Sequence, residues 1–338
     1  MDPALNQDIF QITDHRTFME TALKVFYDQA VHCPVYRNYM SGLGIDPTGI
    51  TKLDDIPFLP VEFFKTHTVL CKGMKAEEVF ESSGTTQSTQ STQLTPSRHH
   101  IADTTLYRRS FTEGFRHFYG APENLCILAL LPSYLERSGS SLVYMMKHLT
   151  ELSGHPDSGF YLDNHDDLSG VLRKRNADLH PTLLVGVSFA LLDLAEHYPM
   201  KLGDHITVME TGGMKGRRKE LIRSELHRHL KEAFGVVAIH SEYGMTELLS
   251  QGYSSGDGLF RTPPWMKVLV RDPNDPLSIF PFGQTGGLNI IDLANLYSCS
   301  FIATGDLGKV YDDGSFEVLG RYDHSDIRGC NLLVPFLV

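Results

Sequence analysis

Hydroxyls crowd around one glycine in ESSGTTQSTQST at residues 81–92, a stretch whose only charge is its first residue. Such groups suit an anion cradle, because backbone N–H donors can converge on phosphate oxygens where no Cβ intrudes. The same composition suits a flexible linker, since short polar side chains bury little apolar surface. Both readings stand on the segment alone. A Walker loop is excluded, because its second glycine and phosphate-neutralising lysine are missing. No dinucleotide fingerprint follows the first strand-like run, and no G-x-S-x-G elbow supports a simple lipase or esterase.

Five cysteines, Cys33, Cys71, Cys126, Cys299 and Cys330, are scattered and odd in number, with no C-x-x-C pair. A disulfide framework or zinc site is therefore not expected, and four of them read as small apolar core residues. His227-x-His229 falls in a charged helical stretch and reads as solvated; no metal is assigned to histidine.

Around these groups the chain repeats one theme. LCILALL (125–131), TLLVGVS (182–188), HITVMET (205–211) and VVAIHSEYG (236–244) are apolar, partly β-branched runs that end in small or polar residues. They suit buried strands whose exits form loops. FALLDLAEHY reads as a helix. KGRRKELIRSELHRHLKEAFG (215–235) places Leu221, Ile222, Leu226, Leu230 and Phe234 near helical spacing, with Gly235 as its cap. Alternating strands and helices predict an α/β fold with its ligand site beyond the carboxyl ends of the strands. After residue 280, glycine-punctuated short strands and the Asp-Gly turn of YDDGSF predict a small β-subdomain. Prolines 34, 47, 57 and 60 break up a helical then extended N-terminal stretch, and IPFLPVEFFKTH (56–67) reads as core packing.

With 338 residues, 41% hydrophobic and 21% charged, the chain can fold around a large core. Its 30 basic against 41 acidic residues give a formal charge of −11, which discourages nucleic acid as a principal partner. The longest apolar run is too short to span a bilayer, so no integral membrane association is expected. The N-terminus lacks a basic start and apolar core, which makes the cytoplasm the expected location.

Read in order, SSGTT (82–86), ETGG (210–213), EYGMTE (242–247), TGD (304–306) and GRYD (320–323) resemble the adenylate-forming superfamily of acyl-CoA synthetases and luciferases. Within it, PSYLERSGSSLVYM (132–145), SEYGMTELLSQGY (241–253) and GRYDHSDIRGCNLL (320–333) are most similar to the LuxE acyl-protein synthetases, over most of the chain from about residue 55. The resemblance implies an adenylate-forming large N-terminal domain of mixed sheets flanked by helices, with a small β-subdomain and without the full C-terminal domain. It implies a helical and extended segment over 1–75 packed on the core, an adenylate-forming core over 76–320, and a hinge and tail over 321–338.

The implied activity is ATP-dependent conversion of a fatty acid to acyl-AMP, then transfer to a protein cysteine as a thioester for delivery to an acyl reductase. Ser82, Ser83, Gly84, Thr85 and Thr86 would wrap the departing phosphates, which favours the cradle over the linker. The family loop commonly carries a second glycine and a later lysine; here Gln87 takes the glycine's place and no lysine follows. Gly212 and Gly213 would lie against the adenine and Tyr243, followed by Gly244, would stack on it. Thr246 would donate to the α-phosphate or acyl carboxylate, and Glu247 would hold Mg²⁺. Asp306 would accept from the ribose hydroxyls and Arg321 would contact the ribose, with Asp323 at the hinge. Tyr134, Glu136 and Arg137 sit in the loop after the first core strand. Cys330, beside Arg328, would receive the acyl group. Two alternatives stay open: transfer to CoA or a carrier-protein thiol, and a non-catalytic scaffold that keeps the fold.

Overall fold

The computed structural model describes residues 5–82, 95–132, 139–162, 164–212 and 221–321. The N-terminal region folds as α1 (Leu5–Asp8), α2 (His15–His32), α3 (Pro34–Gly42), the short strand β1 (Leu59–Pro60) and α4 (Phe63–Thr66). A hairpin of β2 (Glu78–Glu81) and β3 (Arg98–Ile101) leads to α5 (Thr104–Tyr119). Alternation then gives β4 (Cys126–Leu130), α6 (Ser141–Ser153), β5 (Gly159–Tyr161), α7 (His165–Asp178), β6 (Thr182–Val187) and α8 (Ser188–His197). It continues through β7 (Ile206–Thr211), α9 (Arg223–Phe234) and β8 (His240–Tyr243). The remaining described strands are β9 (Gly252–Ser254), β10 (Met266–Arg271), β11 (Thr285–Asp292), β12 (Phe301–Val310) and β13 (Phe316–Arg321).

Continuous apolar runs became buried parallel strands, as their composition dictates. The larger sheet has the order β5-β4-β6-β7-β8-β9, parallel except for β9. Every residue of β4 and β6 is buried. Because β4, β6, β7 and β8 run the same way, their carboxyl ends share one edge, from which Gly212 and Gly244 emerge. The strand in VVAIHSEYG is confined to its second half: Val237 is 87% exposed and pairing begins at His240.

The second sheet, β1-β12-β11-β10 with β13 also on β12, is antiparallel apart from the β1–β12 pair. YDDGSF makes the predicted hairpin between β12 and β13, with Gly314 at φ +81°. The N-terminal region is built into this sheet through β1 and through α2. There Gln29, wholly buried, donates to the carbonyls of Asn295 and Leu296 and accepts from the Ser300 N–H at 2.9 Å. A capping box, with Asp14 accepting from the Thr17 N–H and Thr17 answering to Asp14, fixes where α2 starts. In IPFLPVEFFKTH, Phe58 and Phe64 are core residues as expected.

The 215–235 segment forms a helix from Arg223 onward, and residues 215–220 lie outside the described ones. Leu226, Leu230 and Phe234 are buried, Ile222 is exposed, and Gly235 caps the helix in the left-handed region at φ +65°. Cys33, Cys71, Cys126 and Cys299 are buried and unbridged, as read from their spacing. No helix among the described residues is long and apolar enough to cross a membrane.

Candidate active site

The two sheets meet at Tyr243, the last residue of β8. Its ring packs edge-on against Phe316 and Phe260, with centroids 5.6 and 6.0 Å apart, and its hydroxyl donates to Asp306 Oδ2 at 2.7 Å. Asp306 and Arg321 are cross-strand partners on β12 and β13, and Arg321 Nε donates to Asp306 Oδ1 at 3.1 Å. Three residues expected at the nucleotide, 78 positions apart in sequence at the extreme, thus form one cluster. Burial first, and the Asp306 charge second, push the Tyr243 phenol well above its ordinary value, so it stays a donor. Each oxygen of Asp306 keeps a second lone pair for an incoming hydroxyl.

Thr246 and Glu247 follow in the same segment, and the fold braces them closely. His99, from β3, sets its Nδ1 2.9 Å from the Thr246 carbonyl and its Nε2 3.0 Å from Ser298 Oγ. A carbonyl only accepts, so Nδ1 carries the proton and Nε2 accepts from the serine. Burial holds this imidazole down at about 4, which keeps it neutral. Asn295 donates from Nδ2 to the Glu247 carbonyl at 2.8 Å. Just beyond, Asp292 at the end of β11 accepts from the N–H groups of Leu249 and Ser250, at 2.7 and 2.9 Å, and from the Ser250 hydroxyl. Trp265 Nε1 closes the network on Ser250 Oγ at 3.0 Å. The Thr246 hydroxyl has no hydrogen-bond partner among the described residues.

Glu247 is 4% exposed and makes no salt bridge with a described residue. Burial pushes its carboxyl up, opposed chiefly by a hydrogen bond from Ser97 and more weakly by the charges of Arg321 and Lys65. A buried carboxylate lacking a partner cation is a fitting ligand for Mg²⁺, which uses one or two carboxylates together with phosphate oxygens and water. Among the described residues no group of three or more His, Cys, Asp or Glu could hold a metal by itself. The donor set therefore suits a cation that arrives with a nucleotide.

Ser97 also locates the opening serine-rich stretch. Its N–H donates to Ser82 Oγ at 2.9 Å, and the Ser82 N–H donates to the Ser97 carbonyl at 3.0 Å. The chain therefore leaves at Ser82 and returns at Ser97 side by side, at the end of the β2–β3 hairpin and next to Glu247. An interdomain linker would not bring its ends together in this way. Ser83, Gly84, Thr85 and Thr86 lie outside the described residues, as do Gly213, Cys330, Tyr134, Glu136, Arg137 and Asp323.

Gly212 adopts φ +67°, open to glycine at low cost, and its carbonyl accepts from Ser188 Oγ at 2.6 Å. Beneath it lies a buried group that corrects one expectation. His227 is not solvated: it is 5% exposed, with Nε2 3.5 Å from Glu210 Oε1 and 3.4 Å from Ser241 Oγ. The helix turns His227 toward β7, whereas His229, two residues on, is exposed. Asp292, Asn295, Ser97, Glu210 and the role of His99 were not foreseen. The lone aspartate in the apolar run NIIDLAN was the one available signal, because a carboxylate amid buried strand residues needs donors.

The profile of the family described as Acyl-protein synthetase, LuxE, matches residues 9–335. No curated protein matches the sequence. Among solved structures, 2-hydroxyisobutyryl-CoA ligase in the post-adenylation state in complex with 2-HIB-AMP superposes with a TM-score of 0.65 at 14% identity, covering 91% of this chain and 68% of that one. ATP-bound MatB from Rhodopseudomonas palustris superposes with a TM-score of 0.54 at 17% identity, covering 72% of this chain. The chain spans about half the length of that MatB, of which 47% is covered. These likenesses establish the shared fold. With the profile matched over nearly its whole length, the chain belongs to the LuxE acyl-protein synthetase family.

Proposed function

We propose that this chain activates a fatty acid with ATP and carries the acyl group on Cys330. In the first step a carboxylate oxygen of the acid attacks the α-phosphorus of ATP and pyrophosphate leaves, giving acyl-AMP. In the second, the Cys330 thiolate attacks the acyl carbonyl carbon and AMP leaves, giving a thioester that a reductase can accept. Asp306 accepts from the ribose hydroxyls, Arg321 adds charge beside them, and the Tyr243 ring lies against the base. The Thr246 hydroxyl donates to the α-phosphate or the acid, with its backbone fixed through His99. Mg²⁺, held by Glu247, would supply neutralisation of the leaving phosphates. The hairpin loop that Ser82 opens would supply hydroxyls and amides to the same phosphates.

The observation that carries the acceptor is the burial of the other thiols. Cys33, Cys126 and Cys299 are 0% exposed and Cys71 is 2% exposed, so none meets a bulky adenylate without unfolding. Cys330 is the remaining cysteine of five. Intact-protein mass spectrometry after incubation with ATP, Mg²⁺ and a panel of fatty acids tests the reading. A hydroxylamine-sensitive gain of one acyl group, lost in Cys330→Ser, is expected. Pyrophosphate release without any gain would move the acyl group to CoA or a carrier thiol.

A further inference from the structure

Glu242, between the residues already assigned, has a carboxyl lodged between two turns. It stands directly opposite Thr211 in the parallel β7–β8 pairing, and the Thr211 hydroxyl donates to Glu242 Oε2 in a short hydrogen bond. Thr211 is followed by Gly212. On the other side, a Cβ added at Gly244 would overlap Glu242 Oε1 and come 3.4 Å from Gln251 Cγ. One side chain thus touches both glycine-bearing turns, ETGG and EYGMTE, that frame the nucleotide site.

We propose that Glu242 is a positioning residue that clasps these two turns together. The inference rests on the adenylation reading for its purpose, though not for its geometry. Among the described residues, the groups facing the carboxyl supply no cation. From β7 come Glu210 and Thr211, from α5 the phenols of Tyr107 and Tyr119, the latter bonded to His240, and from β9 Tyr253. Tyr253 is the direct cross-strand partner of Glu242, and its buried hydroxyl has no hydrogen-bond partner. Burial, with Glu210 adding to it against the Thr211 hydrogen bond, lifts the Glu242 carboxyl to about 7.

The linkage has a definite sign. A carboxyl raised in the clasped state binds its proton more tightly there than when the turns open into water. Opening therefore becomes easier by up to roughly tenfold per pH unit from the ordinary carboxyl range up to about 7, then levels off.

Hydrogen exchange on the full chain without substrates, corrected for the intrinsic chemical rate, reads this at the amides of 243–247. Between pH 5 and pH 7 their protection should fall by about tenfold or more in the wild type. In Glu242→Gln, which still accepts from Thr211 but cannot ionise, it should stay level. Thr211→Val, which cuts the link from the other side, should lower protection of these amides at every pH. A wild-type profile that is level, or a fall that persists in Glu242→Gln, overturns the proposal. Acid-dependent ATP–pyrophosphate exchange on the same samples is scored separately: its absence in the wild type counts against adenylation, while the amide profiles alone decide on Glu242.

Discussion

The two acidic poles of the site are held in opposite ways. Among the described residues Glu247 is held by buried, mostly neutral braces: Ser97 on its carboxyl, His99 on the preceding carbonyl, Asn295 on its own, and Asp292 on the two amides beyond. Asp306 is held by one phenol and by Arg321, whose side chain is 69% exposed. Buried hydrogen bonds matter mainly because losing one partner strands the other without water. An ion pair whose cation stands in solvent is weakened and screened by salt, although Asp306 itself is buried. The Glu247 pole is thus rigidly braced, as the proposed hold on phosphates and metal requires. The Asp306 pole is exchangeable, and ribose hydroxyls can enter its hydrogen bonding at little cost.

Replacing Asp292 with Ala should break the comparison most severely. Two buried N–H groups and a hydroxyl lose their acceptor, and urea denaturation should show a loss of about 3 kcal/mol. A loss near that of a surface substitution would mean that the platform is not braced as described.

The acid limb of stability sharpens the same contrast. His99 has a folded value lowered to about 4 against an ordinary 6.5, so the unfolded chain gains the proton first. The stability that neutral His99 contributes is present above pH 6.5 and lost as the pH falls toward 4. His99→Asn, which retains a donor for the Thr246 carbonyl, should remove about 2 kcal/mol of that pH dependence in paired denaturation curves. Parallel curves for the two proteins would contradict the buried, neutral assignment.

Arg321→Ala should do least to the fold, costing below about 1 kcal/mol, while weakening nucleotide binding in a salt-dependent manner measurable by calorimetry. A large loss of stability would place the Asp306 pole in the same class as Glu247 and erase the distinction.

How much of this was legible in the sequence follows the same divide. LCILALL, TLLVGVS and HITVMET announced β4, β6 and β7 because strands covered on both faces need no polar alternation. Tyr243, Thr246, Glu247, Asp306 and Arg321 were marked by short motifs in a fixed order. The braces were not, since they act between residues far apart in the chain. His99 and Thr246 are 147 positions apart, and Gln29 reaches Asn295 across 266. β1 was invisible for a related reason: two residues carry no period, and only pairing with β12 defines them as a strand. His227 misled because a charged helix can still turn one histidine inward.

The most direct test of the central claim is ATP–pyrophosphate exchange with a panel of fatty acids, comparing wild type with Glu247→Gln. Exchange that requires the acid and falls by about a hundredfold in the variant, with the fold intact, is the predicted result. Exchange unchanged by the substitution, or no acid-dependent exchange from the folded wild type, would contradict acyl adenylation at this site.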